Sequence, residues 1–230
     1  GMMAAIRAAE NGHQVTLLEQ NEKLGKKLYI TGKGRCNITN DCETEHLLKN
    51  VIRNSRFLYS AFYSFDSQRV MEFFETHGLT IKTERGGRVF PQSDHSSDVI
   101  RTLQKTLQQE QVKVRLHAKV ADILTVGNDR RIVTGVRLAD GTVFSAENVV
   151  LATGGCSYVS TGSTGDGFCF AEKLGHTVTE RRPSLVPFET AESWVKELQG
   201  LSLRNVTVSI RKDRKLLFEE FGEMLFTHYG

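Results

Sequence analysis

Between Thr31 and Asn40 the chain reads Thr-Gly-Lys-Gly-Arg-Cys-Asn-Ile-Thr-Asn. Gly32 and Gly34 flank Lys33, and Arg35, Cys36 and Asn37 follow at once. Such a turn offers exposed backbone N–H groups, two fixed positive charges and side-chain amides. Its glycines let a phosphate or the polar rim of a ring approach without a Cβ in the way. Just upstream, Val15-Thr16-Leu17-Leu18-Glu19 is strand-like and ends in an acid, with Gln20 next. A carboxylate accepts hydrogen bonds from hydroxyls. Acid and turn together suggest one long ligand, with a ribose at one end and a heteroaromatic ring at the other. The plainer alternative is a glycine-rich surface turn and an exposed strand-end carboxylate. Ala152-Thr153-Gly154-Gly155, following in order, favours the ligand.

Other chemistries find less footing. Cys36, Cys42, Cys156 and Cys169 contain no C-x-x-C pair, which argues against a zinc or dithiol site. Cys36 reads as a small residue packed near a ligand rather than a redox thiol, and Cys156 and Cys169 as core or near-core thiols. The seven histidines form neither H-x-x-x-H nor H-E-x-x-H, so no metal site is expected, and His228 is assigned a structural role. Gly162-Ser-Thr-Gly-Asp-Gly167 lacks the Lys-Ser/Thr ending of a P-loop, and no Gly-x-Ser-x-Gly elbow occurs.

Composition sets the background. With 30 Lys and Arg against 27 Asp and Glu the formal charge is +3, and the basic residues are scattered. The densest clusters, Arg181-Arg182 and Arg211 to Lys215, read as solvated loop or strand edge. No nucleic-acid partner is expected, and no apolar run suggests a membrane span. The sparse, irregular cysteines fit reduced thiols in a cytoplasm.

The elements that would position these residues follow from periodicity. Residues 1–11 predict a helix stopped at Gly12, leading directly into the strand that ends at Glu19. Helix against strand is one arm of a β-α-β unit. Gly1 looks like the last glycine of a Gly-x-Gly-x-x-Gly turn, and Glu19 stands about where the ribose acid belongs. Residues 46–65 predict one or two core-facing helices. Asp66 should cap a helix that stops at Gly78, and residues 79–84 and 88–91 should form a hairpin across Gly86-Gly87. Ser96 or Ser97 is expected to cap a helix to about Gln111. A period-two stretch follows: a strand at 112–117, another at 120–126, and a hairpin of 132–138 with 142–145 through Asp140-Gly141. The apolar run 148–153 suits a buried parallel strand. The loop from Gly162 opens a helix closed by Gly175, and after Arg182 the pattern turns to strands at 206–210 and 216–220.

The order of motifs resembles a known family. Glu19, Gly25-Lys26-Lys27, the Thr31–Asn40 block, Gly87-Arg-Val-Phe-Pro91, Ala152-Thr-Gly-Gly155, Gly162-Ser-Thr-Gly-Asp-Gly167 and Gly222-Glu-Met-Leu-Phe-Thr-His-Tyr-Gly230 resemble the bacterial NAD(P)/FAD-dependent oxidoreductases of the BaiN/RdsA-like (YhiN-like) flavoprotein family. The resemblance implies an α/β fold of the two-dinucleotide-binding flavoprotein type. A Rossmann-like FAD-binding domain would occupy 1–182, without its first strand and glycine loop, and an inserted β-rich domain would begin over 183–230. It implies FAD as cofactor, NAD(P)H as reductant and a small-molecule substrate. Glu19 would meet the adenosine ribose, Gln20 would be among the cofactor contacts, and Gly1 would end the pyrophosphate loop. Lys26, Lys27, Thr31, Gly32, Lys33, Gly34, Arg35, Cys36 and Asn37 would run from the pyrophosphate to the flavin. Val120 would offer its backbone to the adenine, and Ala152, Thr153 and Gly154 would pack on the cofactor. Lys33 and Arg35 are the cations expected near the ring. Against that family the sequence reads as a piece, expected to retain flavin weakly. Two other readings are a non-catalytic nucleotide-binding module and an FAD-dependent RNA-modifying relative.

Overall fold

The computed structural model describes residues 1–127 and 131–230. It divides into two compact units, Gly1–Val178 and Thr179–Gly230.

The first unit starts with helix α1 (Met2–Glu10), whose alanines keep it slim while Ile6 is completely buried. Gly12, at φ +83, ends it: Gly12 N–H bonds Ala9 O (2.8 Å) and His13 N–H bonds Ala8 O (3.2 Å), the paired closure that a left-handed glycine permits. Strand β1 (Thr16–Leu18) follows. Beyond it lie α2 (Lys26–Tyr29), a tight 3-10 turn over Thr31–Gly34, β2 (Thr39–Asn40), α3 (Thr44–Lys49), a second 3-10 turn at Ser55–Leu58, and α4 (Tyr59–Ser64). Helix α5 (Ser67–Thr76) is capped as expected, with the Asp66 carboxylate accepting from Arg69 N–H at 2.8 Å. Strands β3 (Ile81–Glu84) and β4 (Arg88–Pro91) make the hairpin, and β2 adds to the outer side of β4. The long helix α6 (Ser96–Gln109) turns Val99, Leu103 and Leu107 inward at helical spacing. Ser96 does not cap it; its hydroxyl is buried and donates to Tyr29 O (2.8 Å). The main core joins Ile6 of α1, Phe73 and Phe74 of α5, and this stripe of α6.

β1 pairs in parallel with β5 (Lys113–Arg115), Leu17 opposite Val114. A three-stranded antiparallel sheet of β6 (Val120–Val126), β7 (Ile132–Leu138) and β8 (Val143–Ser145) realises the expected meander. Helix α7 (Asp166–Lys173) completes the unit, with Gly175 at φ +93 beyond it.

Three further expectations are corrected. Residues 46–65 form short helices that pack on one another, and none of residues 44–64 enters the main core; Ile52 and Phe57 are 85% and 86% exposed. Apolar spacing there marks helical faces without specifying what covers them. Residues 148–153 form no strand, and Val150 is 71% exposed. A β-branched run becomes a strand only where a neighbour takes its backbone groups, and among the described residues none pairs with it. Cys156 and Cys169 are exposed, Cys156 because it lies in a surface loop and Cys169 because Phe170 takes the buried side of α7.

In the second unit β9 (Ser202–Lys212) and β10 (Lys215–Leu225) form one antiparallel ribbon, longer at both ends than the sequence suggested. The segment before it folds back to the end of the chain through Thr190 N–H to Tyr229 O (3.1 Å) and Gly200 N–H to Phe226 O (2.9 Å).

Candidate functional site: the carboxyl end of the parallel strand pair

A parallel pair leaves its carboxyl ends as the place where loops gather and a helix N-terminus can face a ligand. Glu19 stands there. Its backbone continues the pairing, N–H to Arg115 O and C=O from Ala118 N–H, both at 2.9 Å. Its Oε1 accepts from Asn21 N–H (2.9 Å) and from Asn21 Nδ2 (2.7 Å). That doubly bonded oxygen fixes the carboxylate, and Oε2 takes no hydrogen bond from the described residues. Asn21 was not singled out in the sequence; an amide two residues beyond a strand-end acid was the signal that could have found it.

Gly1 begins α1 at the same edge. A Cβ built on it would lie 3.8 Å from Leu17 Cδ1 and 3.9 Å from Ala152 Cβ, so β1, the start of α1 and the 152–154 segment converge. The first turn of α1 has no side-chain cap and no acid, so its N–H groups and positive dipole end suit an anion.

The loop before α7 is tied to this edge. Gln20 Nε2 donates to Gly162 O (2.7 Å), and Asn21 Nδ2 donates to Thr161 O (3.1 Å). Gly162 has φ +91, and a Cβ there would meet Asn21 Nδ2 at 2.7 Å and Gln20 Nε2 at 2.9 Å. Only glycine gives both the conformation and the room. Lys27 Nζ donates to Ser157 O (2.8 Å) and Oγ (3.0 Å) and lies 4.6 Å from the centre of the Tyr158 ring. Lys26 is paired with Glu22 at 3.2 Å. Thr153 packs its hydroxyl against Gly167, and Gly154 lies beside the Ser163 hydroxyl.

The Thr31–Asn37 turn is held from its other side. Gly32 and Lys33 are both left-handed, at φ +55 and +57. Thr31 Oγ1 donates to Leu28 O (2.6 Å), and the Cys36 thiol is buried in the main core, its acidity weakened by that burial. The Asn37 side chain donates to Thr39 O (2.9 Å) and Val89 O (3.2 Å). Arg35, one of the two expected ring-facing cations, has another duty. Its guanidinium is paired with Glu84 and with Asp94 (2.6 Å) and is 4.0 Å from the centre of the Phe90 ring. Lys82 closes the cluster on Asp94 at 2.6 Å. Hydrogen bonding to Arg35 holds Glu84 below the usual carboxylate range, and Lys82, then Arg35, does the same to Asp94. Lys33 is exposed and makes no ion pair among the described residues, and a Cβ on Gly34 would meet nothing within 4 Å.

Gly1, Glu19, Gln20 and Ala152–Gly154 therefore share one edge, with Lys27 bracing the loop beside it. Val120 begins β6 two residues after Ala118, whose N–H is bound to Glu19 O. Cys36 is turned into the protein, while Arg35 and the exposed Asn37 are tied to protein partners. An uncapped helix start, a carboxylate with one free oxygen and open glycines fit a dinucleotide such as FAD. No group of His, Cys, Asp and Glu among the described residues is arranged to hold a metal ion, and no helix among them is long and apolar enough to cross a membrane.

Comparison with known proteins gives the family and the fold. The model of the HI0933-like protein Rossmann domain family matches residues 1–225, and the chain belongs to that family. It is 33% identical, over its whole length, to a 3-dehydro-bile acid delta(4,6)-reductase of Clostridium scindens, of which it covers 54%. It is 28% and 31% identical to the ribosomal RNA dihydrouridine synthases of Haemophilus influenzae and Escherichia coli, covering 56% and 55% of them. The chain thus spans about half the length of the curated relatives it matches. Among solved structures, the open conformation of a flavocytochrome c3 fumarate reductase matches 89% of this chain and 45% of its own with a TM-score of 0.59 at 20% identity, a likeness of fold.

Proposed function

Taking membership of the HI0933-like Rossmann family as the premise, we propose that this chain forms the FAD-binding part of an oxidoreductase. The reaction is addition of two hydrogens across a carbon–carbon double bond of an organic acceptor, with NAD(P)H supplying the hydride and an acid or water the proton. The observation that carries the reading is the convergence of Glu19, the open start of α1 and Ala152 at one sheet edge. The relatives' names supply the reaction type: a delta(4,6)-reductase and a dihydrouridine synthase both saturate carbon–carbon double bonds.

FAD supplies hydride chemistry when bound; the residues supply binding and orientation. Glu19 offers Oε2 to the ribose hydroxyls while Asn21 holds Oε1. The first turn of α1 receives the pyrophosphate on its free N–H groups. Ala152, Thr153 and Gly154 form the wall beside it. Val120 offers backbone groups to the adenine, positioned by the Ala118–Glu19 bond. Lys33 is the cation left to meet phosphate or the electron-rich part of the ring, since Arg35 is engaged by Glu84 and Asp94.

The test is the visible spectrum of the protein made from its complete gene. A yellow protein, bleached under nitrogen by NADPH or NADH and recoloured by an enone acceptor, is expected. A colourless protein that takes up no added FAD overturns the reading. Bound FAD that neither nicotinamide reduces leaves a non-catalytic nucleotide-binding module. The RNA-modifying reading gains from one observation, the exposed surface described next.

A further inference from the structure

From Lys49 to Phe65 the chain carries three cations, five aromatic residues and no acid in seventeen positions. This stretch was expected in the core, and the structure turns much of it outward. It leaves β2 after Asn40 and returns at Asp66, the cap of α5, as a cluster of three short helical pieces outside the main core. Phe57 is 86% and Tyr59 53% exposed. Phe57 and Arg56, with Asn54 and Ser55, line an open hollow of about 540 Å³. Lys49, Arg53 and Arg56 are exposed, and none makes a salt bridge among the described residues. The neighbouring acid on α3, Glu45, is engaged by the Tyr63 hydroxyl and also feels the charge of Lys49 one turn on, and the Tyr63 ring lies 4.5 Å from that of Tyr59.

Exposed rings beside unpaired cations suit a ligand that alternates flat faces with negative charge. An apolar protein partner would leave the charges of Arg53 and Arg56 without a counterpart, and a nucleic-acid duplex keeps its flat faces stacked inside. We propose that the Lys49–Phe65 excursion binds single-stranded polynucleotide, with Phe57 and Tyr59 stacking on bases and Lys49, Arg53 and Arg56 meeting phosphates. The proposal does not depend on a bound flavin, because it is read from strand binding alone.

Fluorescence anisotropy with a labelled 15-nucleotide RNA, the matching DNA strand and the corresponding duplex tests it on the full-length protein. Both single strands, or the RNA alone, should bind, with the duplex at least tenfold weaker. RNA above DNA would mark reading of the 2′-hydroxyl. Phe57→Ala should weaken single-strand binding about tenfold to a hundredfold. The Arg53→Gln/Arg56→Gln variant should make the slope of log affinity against log salt shallower by about 1.4. All three side chains are exposed, so unchanged melting temperatures will show that the variants fold. No single-strand binding at 50 mM salt, equal duplex binding, or full affinity in both variants overturns the proposal. So does a dimer that Phe57→Ala dissolves, which would make the occupant a second copy.

Discussion

Glu19 shows how much one side chain's function depends on its neighbour. Asn21 fixes one carboxylate oxygen and leaves the other for a ligand. Glu19→Ala should weaken FAD binding about tenfold to a hundredfold, in line with a lost hydrogen bond to a charged group. Isothermal titration measures it, and unchanged affinity would remove Glu19 from the site. Asn21→Ala should give a smaller loss with Glu19 intact, because it frees the carboxylate without deleting it. Arg35 belongs to a different test. Glu84 and Asp94 are both held below their ordinary values, so the cluster stabilises the fold above the usual carboxylate range and loses that contribution as pH falls through the lowered values. Arg35→Ala should therefore lower the melting temperature at pH 7 and much less at pH 3, as followed by circular dichroism. Equal losses at both would assign Arg35 a packing role against Phe90 instead.

At the scale of elements, local chemistry was the legible part. Gly12 stops α1 and Asp66 caps α5 because a left-handed glycine and a strand-conformation aspartate act within a few residues of sequence. Asp66→Ala should cost about 1 kcal/mol of stability by urea unfolding. The same holds for the Gly86-Gly87 and Asp140-Gly141 hairpins, whose turns define their own strands. The excursion at 46–65 and the run at 148–153 could not be read so, since burial and strand pairing are decided by segments far away in the chain. The site was legible in type and partly in place. Glu19 and the glycine-rich turn stood out by composition, whereas the pairing of Arg35 with Glu84 and Asp94 spans 49 and 59 positions and leaves no local trace. The expectation of no nucleic-acid partner rested on the mild, scattered charge of the chain as a whole, a measure that does not register a local grouping of cations and rings.

The whole molecule is two units, and the stretch between Thr179 and Glu192 is exposed and outside regular structure. Limited trypsin digestion should cut first after Arg181, since Pro183 protects the bond after Arg182, and mass spectrometry of the fragments would show it; a first cut within α6 would contradict the division. The three ties of the glycine-rich loop join residues 142, 140 and 130 positions apart. Contacts of such separation close long loops of chain and form late in folding, after the short-range turns and helices have gathered. They are also few and held by side chains rather than by a strand ladder, so they open before the core does. The binding edge is then the last part of the first unit to assemble and the first to loosen. In amide exchange, residues 157–163 should trade their protons while α6 is still fully protected.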